Sequence, residues 1–134
     1  MKIIALVGLS NTGKTTTINL VYNMVLQQGG MTTQKQPLGG DPNDFLDIVL
    51  WKNIKIVFFS MGDNSTALAN AIYNYREQNC DLMICSLSIG TPKIRANNAL
   101  NSFNVTRINK TIDSQTNLEI NANINDAQTI LNLI

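Results

Sequence analysis

A chain of 134 residues, 44% of them hydrophobic, can build one core but has no length for a second module, so a single domain over residues 1–134 is expected. A net charge of +1 gives no signal for nucleic acid or an anionic membrane, and no apolar run approaches the length that spans a bilayer. The absence of histidine removes the usual general base and, with Cys80 and Cys85 as the two cysteines, leaves too few ligands for a zinc site. Both thiols read as reduced and partly buried beside a strand.

Met1-Lys2 runs straight into a continuous apolar segment, residues 2–7, which reads as a buried strand. No room is left for a signal peptide, and a cytoplasmic protein is expected. After the segment Gly8-Leu9-Ser10-Asn11-Thr12-Gly13-Lys14-Thr15, Ile18, Val21, Tyr22 and Val25 recur at helical spacing until Gly29-Gly30 stops the helix. Residues 31–36 suit a short strand. Pro37-Leu38-Gly39-Gly40-Asp41-Pro42 is dense in breakers and reads as a mobile loop. The apolar segments 45–51 and 54–59, joined at Lys52-Asn53, have the spacing of a β-hairpin.

Asn64 suits the N-cap of a helix running to about Gln78, with Leu68, Ile72 and Tyr75 on one face. Residues 82–87 form another buried strand, and 89–93 a loop. Thr91 as N-cap and Pro92 in the first turn would open the next helix, which reaches about Ser102. A fifth strand is expected over 105–108. A polar connection rich in Asn, Ser, Gln and Thr then leads to a last helix from about Asp126, burying Ile130 and Leu131. Strands alternating with helices predict an α/β fold: a three-layer α/β/α sandwich on a mostly parallel sheet, with the hairpin's antiparallel strand at one edge.

The chemistry is concentrated in residues 8–15, which match G-x-x-x-x-G-K-[ST] between a strand and a helix. Gly8 and Gly13 free the backbone to turn successive N–H groups inward, and the positive end of the helix dipole reinforces this anion nest. Lys14 would reach the β- and γ-phosphates of a nucleotide, and the Thr15 hydroxyl would ligate Mg²⁺. The chain thereby resembles the P-loop NTPase superfamily, through residues 2–28 and more loosely through the later strand–helix pattern. That resemblance implies the P-loop NTPase fold, with Gly8, Ser10, Asn11, Thr12, Gly13, Lys14, Thr15 and Thr16 holding the nucleotide. Thr16 would lie near the α-phosphate. The G-x-x-N-x-G-K-T form, with Asn11, is similar to that of translation-factor-related GTPases, in some of which the Asn helps bind potassium; ATPases carry it too.

The chain also departs from that family. A second strand should end in an aspartate that holds Mg²⁺ through water, and GTPases continue it as D-x-x-G. Here Ile54-Lys55-Ile56-Val57-Phe58-Phe59 runs into Ser60-Met61-Gly62-Asp63. Asp63 is left either as the metal carboxylate or as a cap for the helix that follows. Asn109-Lys110-Thr111-Ile112-Asp113 is one residue longer than the guanine-reading N-K-x-D and reads as coincidence. Neither glutamate, Glu77 or Glu119, follows a core strand where a base for water would sit. Residues 86–93 follow a strand, at the carboxyl edge of the sheet where a nucleotide could be bordered; Thr91, Lys93 and the nearby Arg95 could meet phosphates or a second substrate, though a helix start with solvated cations explains these three as well. Asp41, Asp44 and Asp47 are open to the metal, to a substrate, or to a role in an ordinary polar loop.

The expected activity is therefore Mg-dependent binding of a nucleoside triphosphate, tilted toward ATP by the missing guanine determinants, with Lys14 as catalytic residue, Thr15 and Asp63 at the metal, and slow hydrolysis. A nucleoside or small-metabolite kinase and a non-catalytic nucleotide sensor that binds a protein partner are the alternatives.

Overall fold

A computed structural model describes residues 1–113 and 115–134, and all side chains within them except those of Thr116 and Asn117. The chain begins with β1 (Lys2–Leu9), α1 (Lys14–Gln27) and two short strands, β2 (Met31–Thr32) and β3 (Gln36–Pro37). The hairpin β4 (Phe45–Trp51) and β5 (Ile54–Phe59) follows, then α2 (Ser65–Glu77) and β6 (Leu82–Ile89). Last come α3 (Ile94–Asn101), β7 (Asn104–Asn109) and α4 (Thr116–Asn132). The strands form one mixed, mostly parallel sheet ordered β2-β4-β5-β6-β1-β7, with β3 also paired to β4.

β1 pairs in parallel with β6 on one side and β7 on the other, and β5 pairs in parallel with β6. β4 runs against its partners β5, β2 and β3. It does not form the edge that the hairpin predicts, because the two short strands cover its outer side. At the hairpin, Lys52 and Asn53 both take positive φ, 52° and 61°, as a two-residue turn between twisted strands requires.

Successive side chains of a strand point to opposite faces, and each central strand here feeds two cores. Ile3, Ala5, Val57, Phe59, Met83 and Cys85 pack beneath α2 and α3, against Leu68, Ile72, Ala96 and Leu100. Ile4, Leu6, Ile56, Phe58 and Ile84 pack on the other face, against Ile18, Val21 and Val25 of α1 and Ala127 and Ile130 of α4. Each fully buried Ile or Leu contributes roughly 1.5–3 kcal/mol of transfer free energy, so both helix layers are held mainly by this alternation. Cys80 and Cys85 are free and buried.

The helix ends follow local chemistry. After α1, Gly29 at φ 103° lets its own N–H reach Leu26 O (3.2 Å) while the Gly30 N–H reaches Val25 O (2.9 Å), a left-handed cap that satisfies two terminal carbonyls. Asn64 caps α2 by accepting the Ala67 N–H at 3.0 Å, as expected. Two helix starts differ from the sequence expectation. α3 begins at Ile94 with Lys93 as its N-cap residue, so Thr91 and Pro92 precede the helix. α4 begins at Thr116, well before Asp126. Its buried stripe is carried by Ala122, Asn123, Asp126 and Ala127 as well as Ile130, too polar to register as an apolar period. Of the expected polar connection, Ser114 lies outside the described residues. No described helix is long and apolar enough to cross a membrane.

Candidate functional site

The apolar register that buries β1 carries its carboxyl end, at Gly8 and Leu9, up beside Ser88 and Ile89 of β6. Ser10, Asn11, Thr12 and Gly13 then turn the chain into α1, with Asn11 (φ 61°) and Gly13 (φ 89°) left-handed. Gly13 is the N-cap and supplies no side chain to the helix end. The first-turn N–H groups of α1 have no carbonyl one turn behind them, and the residues that carry them, Lys14, Thr15 and Thr16, line the cleft described below. Gly13 also has no room for a Cβ, which would lie 2.7 Å from Asn123 Oδ1.

Lys14 curls back over this loop and its ammonium donates to Leu9 O at 2.6 Å; Thr12 Oγ1 donates to the same carbonyl at 2.7 Å. The lysine is 6% exposed. Burial depresses its pKa, Asp63 works against that depression, and Lys110 and Lys93 add to it by charge repulsion.

Asp63, in the loop between β5 and α2, does not cap the helix, since Asn64 does. Its Oδ1 accepts from the hydroxyls of Ser10, at 3.0 Å, and Ser88, tying the turn of β1 to the end of β6. The Ser88 hydrogen bond is the main reason its carboxyl ionises below the usual range; burial opposes it, and Ser10, Lys14 and Lys93 add to it.

Ser60 stands where the family pattern would have its aspartate, at the end of β5. It is 1% exposed and receives the Phe45 N–H at 2.8 Å. Its hydroxyl donates to Asp44 Oδ1 at 3.0 Å, and the Thr15 hydroxyl donates to the same oxygen at 3.0 Å. Burial raises the Asp44 pKa; the bonds from Thr15 and Ser60 lower it, and the charges of Asp41 and Asp63 raise it. The loop carrying Asp44 is pinned to α1 a second time, where Asn19 Nδ2 donates to both Thr15 O (2.9 Å) and Asn43 O (3.2 Å).

These groups enclose a polar cleft of about 300 Å³. It is lined by Asn11, Gly13, Lys14, Thr15, Thr16 and Asp63, all singled out from the sequence. Gly8, Ser10 and Thr12 belong to the same turn. The lining also holds Asp41 and Asp44, which the sequence left without a settled role, Ser86 and Ser88 from the segment 86–93 expected at this edge, and Asn43, Ser60 and Glu119, which it did not point to. Ser86 and Ser88 are alternate polar residues in an otherwise apolar strand. Glu119 comes to the cleft from α4 rather than from a strand end, which is why its position was illegible. Asp47 is fully buried elsewhere, accepting from Tyr22 Oη at 2.8 Å, Gln34 N at 3.0 Å and Thr32. Lys93 does not line the cleft, its ammonium donating to Thr91 O at 3.4 Å and to the Thr91 hydroxyl, and Arg95 lies exposed on α3.

The N-K-x-x-D run opens on the last residue of β7, Asn109, and its lysine is used internally. Lys110 donates its N–H to Val7 O at 2.7 Å, and its ammonium meets Asp126 at 3.0 Å and Thr111 O at 2.7 Å. Asp113 accepts the Gln115 N–H at 3.1 Å. Among the described residues no three His, Cys, Asp or Glu side chains cluster as a metal cage.

No protein-family model matches this chain, and neither a curated protein nor a solved structure matches it at a significant level.

Proposed function

We propose that the chain is a P-loop protein of the P-loop NTPase fold that binds a Mg-nucleoside triphosphate in the cleft at residues 8–16. The observation that carries this is the left-handed, side-chain-free turn at Gly13 with the buried Lys14 ammonium folded over it. An anion of several oxygens would satisfy the open N–H groups and give Lys14 a partner better than the Leu9 carbonyl. A triphosphate supplies both at once. Lys14 would hold the terminal phosphates and Thr16 the α-phosphate side.

The residues present fit a hard divalent cation. Mg²⁺ takes oxygen ligands, keeps several waters and shares phosphate oxygens, so it needs one hydroxyl and one or two carboxylates rather than a protein cage. Thr15, with Asp63 and Asp44 facing the same cleft, supplies that set. When bound, the cation would neutralise charge on the phosphates. The chain's own part is orientation: the turn would fix the phosphates, Lys14 would add positive charge, and Asp41, Asp44, Asp63 and Glu119 are the carboxylates that line the cleft. No residue is built as a dedicated base, and the expected hydrolysis is slow. Lys110 is paired with Asp126, and the run it belongs to is one residue longer than the guanine-reading motif, which supports the slight tilt toward ATP. On this reading the protein is a nucleotide-binding NTPase with slow hydrolysis, ATP slightly favoured over GTP.

A small-metabolite kinase is the second reading, favoured by a neighbouring cavity of about 470 Å³. That cavity shares Asp41, Asp44 and Asp63 with the cleft and extends to Gly39, Gly40 and the start of α2, leaving space for an acceptor. A thermal-shift panel of ATP, GTP, their diphosphates and non-hydrolysable analogues, with and without Mg²⁺, tests the proposal alongside phosphate release. Stabilisation by triphosphates with slow phosphate release supports the NTPase. Binding with release only after an acceptor is added supports the kinase. No stabilisation by any nucleotide sinks both.

A further inference from the structure

We propose that Asp44, in the loop between β3 and β4, is the principal carboxylate of the cation site, and that nucleotide-bound metal thereby orders the loop that carries it. This rests on the nucleotide-binding reading above and names a residue that the motif does not contain. The Thr15 hydroxyl is the motif's metal ligand, and its proton already has an acceptor: Asp44 Oδ1 at 3.0 Å. A hydroxyl that gives its proton to a carboxylate keeps its lone pairs free for a cation. Neighbouring ligands of an octahedral Mg²⁺, each about 2.1 Å from the ion, lie about 3 Å apart. The separation of Thr15 and Asp44 oxygens equals that edge, so the pair can accept the ion with little rearrangement.

Two further observations select Asp44 over Asp63. Ser60, at the strand end where the carboxylate would ordinarily stand, is buried and donates its hydroxyl to Asp44 Oδ1 at 3.0 Å. The position keeps its place in the site but delegates the charge to the opposite loop. Asp63, in contrast, accepts from Ser10 and Ser88, with neither bond running to Thr15. It braces the turn of β1 against β6. Of the two carboxylates facing the cleft, Asp63 is thus chiefly a brace and Asp44 the principal one at the cation.

The loop consequence follows from the pinning at residues 43 and 44. Asn43 O is held by Asn19 and Asp44 by Thr15, both on α1, while Gly39 and Gly40 just upstream have positive φ, 78° and 74°. The segment has one end tied to the site and a left-handed glycine pair behind it.

The test compares the unaltered chain with Asp44→Asn, Asp44→Glu, Asp63→Asn and Lys14→Ala, using ATP affinity in Mg²⁺ and in EDTA and paramagnetic resonance of Mn²⁺ with ATP. Asp44→Asn is expected to keep its affinity for ATP in EDTA while losing at least about 10- to 100-fold in metal affinity, since that is the effect of removing a group that only orients a ligand and Asp44 is itself the ligand. Asp44→Glu recovers part of that loss, and Asp63→Asn retains most of the metal enhancement. An Asp44→Asn protein with the full Mg²⁺ enhancement overturns the assignment and leaves nucleotide binding standing. Failure of the unaltered chain to bind ATP in either condition overturns both. Should Asp44→Asn not fold, hydrogen exchange of residues 38–44 in the unaltered chain decides: protection greater with Mg-ATP than with ATP in EDTA supports the assignment, and equal protection refutes it.

Discussion

Removing the charge of Asp126 while keeping its shape should destabilise the whole molecule. Asp126 Oδ2 accepts the Thr111 N–H at 2.8 Å and meets the Lys110 ammonium at 3.0 Å, and Oδ1 accepts the Thr111 hydroxyl at 2.7 Å. The Lys110 side chain is 0% exposed, so Asp126→Asn strands a buried ammonium with the neutral Thr111 carbonyl as its remaining partner. Breaking such a pair from one side costs about 3–5 kcal/mol, because the uncompensated charge stays out of water. With an unfolding entropy near 2.1 cal/mol/K per residue, 134 residues give about 0.28 kcal/mol/K, so the melting temperature should fall by about 10–18 °C. Lys110→Met should cost less, since Asp126 keeps both Thr111 donors. The double variant should be more stable than the sum of the single losses predicts, by about 2 kcal/mol. Urea denaturation and thermal melts measure all three, and high salt should change the coupling little because the pair is buried. An Asp126→Asn protein within about 2 °C of the parent, or an additive cycle, would refute the reasoning.

Two other outcomes follow from the turn and the core. Gly13→Ala forces a Cβ to within 2.7 Å of Asn123 Oδ1 at a left-handed φ of 89° and should lose about 1–3 kcal/mol in denaturation; Asn123→Ala in the same chain should return part of this, and unchanged stability of Gly13→Ala contradicts it. Burial pushes the Cys85 thiol up to about 12 and raises Cys80 as well, so an aromatic disulfide reagent at pH 8 should label both only as the chain unfolds. Because Cys85 keeps its proton when folded and ionises near 9 when unfolded, its contribution is intact below about pH 9 and is lost between there and about 12. Rapid labelling of the native protein would show the thiol is accessible.

How much was legible in the sequence depended on distance along the chain. The hairpin boundaries at Phe45–Trp51 and Ile54–Phe59 match expectation because long apolar runs and a two-residue turn are local signals. The first ten residues of α4 were invisible because tertiary packing, with Asn123 against Gly13 and Asp126 on Lys110, holds a stretch of low helix propensity. The turn at residues 8–15 was readable as a contiguous motif, and Asp63 was found near it. Asp44 and Ser60 meet across 16 positions, and Asp44 and Thr15 across 29. Such encounters depend on strand order, and β6 lies between β1 and β5 here, an arrangement that hydrophobic periodicity does not encode.

The central claim is tested most directly by equilibrium titration of ATP, with Mg²⁺ present, into the unaltered protein and into Lys14→Ala. Saturable binding by the former, weakened about 100-fold or more in the variant, is predicted, since a charge-assisted contact to phosphate of about 3 kcal/mol is removed. Equal affinity in the two proteins, or no binding by the unaltered chain, would contradict the account.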